Sequence, residues 1–494
     1  MMWPIILLIG TPFLIGVSGL VVRNRQTFDV LHCMQAGIMI ISSLLLVDEV
    51  SVSGPVSFLV FLRVDAMSAW FDLVIGIVAG TGTLYAVGYV GEQYDRGHVS
   101  LKRFRHFFIL FDLYLGVMLL AINVENLGMM WIAIEGATLS AALLIGFERS
   151  KGALEAGWKF VILSSVGIAL ALFGTILVYY SSEQLLGITE EALHWAKLYE
   201  VGDQLDPSAM KIAFIFILVG YGTKAGLVPM HTWLPDAHGE APTPVSAMLS
   251  ANMLTMAIYA ILRFKILTDQ AVGPEFTGTL LIGFGFFCVV LSAIFLLLQE
   301  DFKRLLAYSS IEHIGIALIG FGLGGLGVFG GLWHLLNHAL AKSAAFYGAG
   351  LVLLTHEHKF IARVPGLLRQ HPVAGVALIV TGLVLAGMPP FGLFVSEISI
   401  AADAISTAPS VAYGFLSILT LAFATLLFQV LRMILGVPME GQSATVGRRC
   451  RAFSTAAIAM NLGALFFLGL HVPSGLQDLL GLILPFFHAE GEYF

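Results

Sequence analysis

The sequence predicts an all-α polytopic membrane protein of about fourteen transmembrane helices, and three observations carry that reading. Hydrophobic residues make up 58% of the 494-residue chain and charged residues only 12%, far outside the soluble norm. Fourteen apolar runs are each long enough to cross a hydrocarbon core of about 30 Å as a helix. These runs lack period-2 alternation, and a bilayer admits only helices or closed barrels, so helices remain.

The runs fall at 3–22, 28–47, 66–90, 107–123, 127–147, 159–180, 211–229, 244–266, 278–298, 307–325, 327–354, 373–401, 411–435 and 452–471. The first has no basic stretch before it, and Arg23 and Arg25 follow it, so it reads as a retained helix rather than a cleaved signal. With the N-terminus outside, the odd-numbered loops are cytoplasmic and hold 17 of the 25 Lys and Arg. Both termini are then expected on the outer face of a cell inner membrane. Arg63, Lys197, Lys211, Arg263 and Lys265 fall on that outer side, while Lys159, Lys224 and Lys342 sit inside spans.

A net charge of −7 argues against nucleic acid, and much of it lies in the 183–206 loop, expected to be solvated. Cys33, Cys288 and Cys450 are isolated, which excludes cluster ligation, haem attachment and a disulfide framework. Phosphate loops and dinucleotide turns are absent from the sequence.

Without a long linker the chain reads as one membrane domain, 1–494. Two spans are broken. In GTKAGLVPMHTWLPDAHGE, residues 222–240, a lysine is followed by Pro229 and Pro235; in AGMPPFGLFVSEIS, residues 386–399, Pro389 and Pro390 precede Glu397. Lys224 and Glu397 stand 173 residues apart, nearly the spacing of the spans that begin near 107 and 278. Proline-interrupted spans at matching places in two halves point to an ion site. The implied division is 1–90 for three leading helices, 107–266 and 278–435 for two five-helix repeats, and 452–494 for the last helix and tail.

A lysine at the centre of a span costs about 2.5–3.5 kcal/mol on insertion scales, so ionisable residues there are functional candidates. Glu135 lies well inside its span, Lys159 opens WKFVILSSVG, and His334, His338 and Lys342 recur every four residues on one helix face. Glu397, His238, His231, Asp112 and the pair Glu312–His313 complete the set. Acids, lysines and histidines spread over separate spans are what a proton relay requires. For Lys342 and its histidines, interhelical hydrogen bonding is the plain alternative; Lys159 has the option of snorkelling to the interface. His231 and His238 are equally suited to capping the broken helix. The His334–His338 spacing suits a metal, but no HExxH glutamate or third ligand accompanies it, so no metal is expected. His356 and His358 read as a polar loop.

At these residues the chain resembles the antiporter-like membrane subunits shared by respiratory complex I, Mrp cation/proton antiporters and group 4 membrane-bound hydrogenases. KAGLVPMHTWLPDAHGEAPTPVSAMLS carries the likeness most strongly, joined by EDFKRLLAYSSIEHIG, HLLNHALAKSAAFYGAG and GMPPFGLFVSE. The IEH variant is most similar to hydrogenase component F. The resemblance implies fourteen helices with two inverted five-helix repeats. It makes Glu135 and Lys224 the paired residues of the first half-channel, His238 the histidine of the break, Lys342 with His334 and His338 the connecting axis, and Glu397 the ionisable residue of the second broken helix. Thr255 departs from the pattern, standing where many members have a lysine. No cofactor is implied in this chain; iron–sulfur and nickel–iron or similar centres would lie in partner subunits. Implied partners are other membrane subunits, peripheral redox subunits, the lipid bilayer, and protons or Na⁺ as cargo. The expected function is proton translocation in a redox-driven complex. The rivals are an Mrp-type Na⁺/H⁺ antiporter subunit, a proton-channel partner in inorganic-carbon uptake, and a structural spacer.

Overall fold

The protein is described from a computed structural model. The structure describes residues 3–59, 61–437 and 445–487, so both chain ends, whose expected side was the outer face, lie outside the described residues.

Polar caps and prolines punctuate an almost wholly helical chain. The helices are α1 (Trp3–Ser18), α2 (Arg25–Ser53), α3 (Ala66–Asp95), α4 (Leu101–Asn123), α5 (Leu127–Ile145), α6 (Lys151–Leu186) and α7 (Trp195–Glu200). Then come α8 (Pro207–Lys224), α9 (Trp233–Glu240), α10 (Thr243–Met248), α11 (Leu254–Val272), α12 (Pro274–Leu298), α13 (Phe302–Leu323) and α14 (Gly325–His356). The chain closes with α15 (Leu367–Gln370), α16 (Pro372–Leu385), α17 (Gly392–Thr407), α18 (Pro409–Ile434), α19 (Arg448–Leu470) and α20 (Ser474–Ile483). Asn24, Asp65, Ser100, Asn126, Ser150, Asp206 and Asp301 each accept from a backbone N–H of the turn they open. Proline opens α8, α12, α16 and α18, where its missing N–H costs nothing.

Each of the fourteen apolar runs holds helix, two of them with a break, and among the described residues ten helices are long and apolar enough to cross a membrane. The remainder are α1, the interrupted pairs α8–α9 and α16–α17, and α14, which carries two histidines and a lysine in its middle. One feature departs from an all-helical reading: β1 (Val56–Phe58) pairs antiparallel with β2 (Leu62–Val64), Val56 opposite Val64.

Burial separates a central column from an outer ring. The spanning windows of α3, α10–α11 and α13 are 89%, 100% and 94% buried, against 33% for α18 and α19. Helix α14 is buried from Gly327 to Val352 apart from no more than isolated edges, with α13, α16, α17, α19, α10 and α3 packed around it. Between apolar helices in lipid, close approach rather than the hydrophobic effect drives packing. Glycines seven residues apart form the seams. A Cβ on Gly278 or Gly285 of α12 would lie 2.5 or 2.6 Å from the carbonyls of Gly322 and Gly315 on α13.

A buried ion pair fastens α3 to α11. Arg263 donates from both terminal nitrogens to the two oxygens of Asp65, 2.7 Å each, and to Ser68 at 2.8 Å, with Trp195 stacked 4.3 Å away. Arg263 and Lys265, expected on the outer side at the end of the run 244–266, are not exposed there. Both lie within α11 and are buried, and Lys265 bonds Asp269. Neutralising each charge locally is what lets the helix run past its apolar stretch. The expected C-terminal tail is also partly helix: α20 folds back on α2 and α3, burying Leu476, Leu479, Leu480 and Ile483.

Removing one member of a buried pair leaves an uncompensated charge and costs about 3–5 kcal/mol. Asp65→Ala should therefore lower the thermal unfolding midpoint in detergent markedly, and the Asp65→Ala/Arg263→Met double variant should recover much of the loss. A double variant no better than the single would show that the pair is not the unit of stability.

Candidate functional site

Two clusters of buried polar groups lie along the interior, one at each broken helix. The first forms where α8 stops. Lys224, its last residue, has no solvent exposure, and its amine lies 3.5 Å from Glu135 Oε2 on α5. The amine also donates to the Thr138 hydroxyl one turn along α5 and lies 5.8 Å from the centre of the Phe160 ring. Glu135 retains 22% exposure and accepts from Ser165 of α6 at 3.4 Å, so the pair is sealed on one side and open on the other.

Protein groups close the break. Gly226, with φ at +72°, turns the chain, and Leu227 N–H returns to Gly222 O at 2.8 Å. Trp233 Nε1 donates to Thr223 O at 2.8 Å, and Val228 N–H reaches Cys288 Sγ at 3.3 Å. Pro229 lies in the break itself, whereas Pro235 falls in the first turn of α9 and starts a helix rather than ending one. His238 donates Nδ1–H to Leu234 O at 2.8 Å, leaving Nε2 buried and without a hydrogen-bond partner. The far end of α9 is capped from α13 and its neighbouring loop: Lys303 donates to Ala241 O at 2.6 Å and Lys359 to Gly239 O at 2.8 Å. His231 stands apart, in the short turn before α9, with Tyr308 beside its ring.

The second cluster joins α13, α14 and α17. His313 Nδ1 and His334 Nε2 are 3.0 Å apart, and His334 Nδ1 lies 2.9 Å from Ser396 Oγ. His338 is 5.4 Å from His313, centroid to centroid, with neither nitrogen partnered. Lys342 donates to Leu306 O at 3.1 Å, and its electrostatic partner is Glu312, whose carboxylate oxygens make no hydrogen bond. Glu397 folds back over the second break. A Cβ on Gly387, whose φ is +58°, would sit 2.0 Å from Glu397 Oε2. His313, His334 and Glu397 bring one donor atom each within 4.8 Å of one another, but the two rings already bond each other, which makes this a hydrogen-bond network.

Two expected residues lie elsewhere. Lys159 is 35% exposed and pairs with Glu155 at 2.6 Å and Asp236 at 3.3 Å. Asp112 is buried against His32, 3.0 Å away, and Gln35, 2.8 Å away, on α2. Sequence reasoning missed His32, the buried Lys303, and Asp72, which accepts from Asn123 at 2.9 Å near the start of α3. Asp72 carried the same signal as the others, an acid inside an apolar run.

Residues 124–424, well over half of the chain, match the transmembrane family of NADH:quinone oxidoreductase and Mrp antiporter. The chain belongs to that family. It is 41% identical over 384 residues to the Hydrogenase-4 component F homolog of Methylacidiphilum infernorum, covering 78% of this chain and 81% of the relative. It is 30% identical to Hydrogenase-4 component B of Escherichia coli over 68% of this chain, and spans about 50% of that longer relative. In fold it is similar to a chain of the membrane-bound sulfane sulfur reductase, an archaeal respiratory membrane complex, with a TM-score of 0.84, 22% identity and coverage of 98% and 97% of the two chains. The antiporter-family match spans both broken helices up to α18, and so contains both clusters.

An alanine at a positive φ costs about 1–2 kcal/mol, and at Gly387 its methyl would also displace the Glu397 carboxylate. Gly387→Ala should abolish transport by the assembled complex in proteoliposomes, whereas Gly475→Ala, with open space around it, should leave transport unchanged. Normal transport by Gly387→Ala would separate Glu397's position from activity.

Proposed function

We propose that the chain is a proton-translocating membrane subunit of a redox-driven complex resembling the group 4 hydrogenases and complex I. The observation that carries the reading is the Lys224–Glu135 pair, 3.5 Å apart at the end of a broken helix, sealed inward and open outward. A lysine held against an acid keeps its proton; with that acid neutralised or withdrawn, burial favours its release. Glu135 and Lys224 then act as a valve, His238 receives protons beyond the break, and Glu312, His313, His338, Lys342 and Glu397 form the second half-channel. His334 belongs to the same cluster. Lys159 serves at the exposed approach to the first, and His231 and Asp112 have no part in either cluster.

In this reading fourteen helical segments cross the inner membrane, as three leading helices, two inverted five-helix repeats and one last helix. The packing supports it: α6 lies against α8 and α9, as α14 lies against α16 and α17. Iron–sulfur and nickel–iron or similar centres belong to peripheral partner subunits, and the oxidoreduction with them. The relation to hydrogenase-4 components favours this assembly over an Mrp-type antiporter, and a pumping rate independent of Na⁺ would agree.

Glu135→Gln keeps the shape of the pair and removes its charge. In proteoliposomes of the native complex it should lower proton transport sharply while the partners' redox activity in detergent survives. Wild-type pumping would take Glu135 out of the mechanism. Thr255 donates its hydroxyl to Ala251 O at 2.5 Å within its own helix and cannot hold a proton at neutral pH. Thr255→Val should therefore leave pumping largely intact; loss of pumping in a normally assembled complex would give the hydroxyl a role in ordering water.

A further inference from the structure

The bonds around His334 form a chain whose direction follows from its last acceptor. Leu393 O has only lone pairs to offer, so Ser396 donates its hydroxyl proton there, at 2.7 Å. The Ser396 oxygen can then only accept from His334 Nδ1, 2.9 Å away, so that nitrogen carries a hydrogen. A neutral imidazole protonated at Nδ1 has its lone pair on Nε2, and the 3.0 Å contact with His313 must run from His313 Nδ1–H. What remains is the lone pair on His313 Nε2, buried and without a hydrogen-bond partner. One serine hydroxyl sets the tautomer of two rings.

We propose that Ser396 and His334 are positioning residues that lock His313 in the Nδ1–H tautomer, and that His313 Nε2 is the group that exchanges a proton with Glu397. This rests on the relay reading above and changes one part of it: His334 is not a station. Both its nitrogens are committed, and the chain beyond it ends on a backbone carbonyl, so a proton arriving there has nowhere to go on. Glu397, by contrast, has Oε1 unpartnered and offers an oxygen within 4.8 Å of both rings. In the transfer, the O–H bond of protonated Glu397 breaks and an N–H bond forms at His313 Nε2. The products are a carboxylate and an imidazolium whose Nδ1–H still donates to His334; no other reactant is needed. The remaining groups facing His313 are Glu312 beside it on α13, His338 and Lys342 from α14, and the backbone of Leu385 at the end of α16. His338, with neither nitrogen bonded, has no fixed tautomer and lacks this direction.

The test uses the native complex in proteoliposomes, with transport measured against pH and the histidine ring nitrogens followed by solid-state NMR after ¹⁵N-histidine labelling. Wild-type protein should show His313 and His334 as Nδ1–H tautomers, each signal assigned by its loss in His313→Gln or His334→Gln. Ser396→Ala should release both rings to the Nε2–H form, displace the pH profile and lower transport about tenfold, the low end of what loss of a ring-orienting partner costs. Ser396→Thr, which keeps the hydroxyl, should restore the wild-type profile. An Nε2–H tautomer at His313 in the wild type, or a wild-type rate and profile in Ser396→Ala, would overturn the lock. If Glu397→Gln blocks transport in that second case, the relay stands and the lock alone fails. Normal pumping by Glu397→Gln removes the relay and this inference with it.

Discussion

Burying a lysine amine without a nearby counter-charge costs several kilocalories per mole, a large share of a protein's whole margin of stability. At Lys224, that constraint shapes everything around it. The amine has no solvent exposure, so Glu135 must lie within reach on α5, and Thr138 must present its hydroxyl one turn away. Thr138 in turn gives its own proton to Ile134 O at 2.9 Å, which leaves its oxygen free to accept. The helix stops at this residue, where the charged side chain lies beside backbone groups that the break has freed.

Breaking a helix in hydrocarbon frees amides and carbonyls that have no solvent to turn to. Both breaks meet this need by borrowing from neighbours. At the first, Trp233 and Cys288 each satisfy one backbone group. At the second, tight turns satisfy the chain itself: Gly387 N–H bonds Val384 O at 3.0 Å, and Met388 N–H bonds Leu383 O at 3.1 Å. Helix α19 then closes over the second break so tightly that a Cβ on Gly469 would lie 1.8 Å from Pro390 O. The breaks are rigid features of the packed protein, which places the acids and histidines beside them in fixed register.

Much of this was legible in the sequence, and the misses share a cause. Helices could be read because apolar runs of spanning length have few alternatives in a bilayer. Glu135, Lys224 and Glu397 could be read because each is a charge in an otherwise apolar run. Arg263 and Lys265 were read as outer-side charges because a hydropathy count treats a charge as an ending, whereas Asp65 and Asp269 cancel theirs inside the protein. Lys303 looked like a loop residue for the same reason, though it is buried and caps α9. Pairing across elements decides Arg263 and Lys303, and no one-dimensional window contains it; Lys265 pairs within α11 itself.

The position of Thr255 raises the question of what connects the two clusters in place of a lysine. Just before it, residues Leu249–Met253 form a single wide π-helical turn inside an otherwise regular helix, a distortion that concentrates at functional sites. Ser250 in that turn meets Ser310 of α13 at 2.7 Å, and Ser310 donates onward to Leu306 O at 2.9 Å. The same carbonyl receives the Lys342 amine at 3.1 Å. Because Ser310 has given its proton to a carbonyl, Ser250 can only donate to it, and the chain of hydroxyls ends there. It cannot conduct. What it does is tie the distorted turn of the first half to the carbonyl that holds the lysine of the second. Helix α13 thus carries three attachments along its length: Lys303 on the cap of α9, Ser310 on the π turn, and Glu312 with His313 in the second cluster. These three attachments tie the cap of α9 to Glu312 and His313 through one helix, so under the proposed valve a displacement of α9 would be passed along α13 to the second cluster.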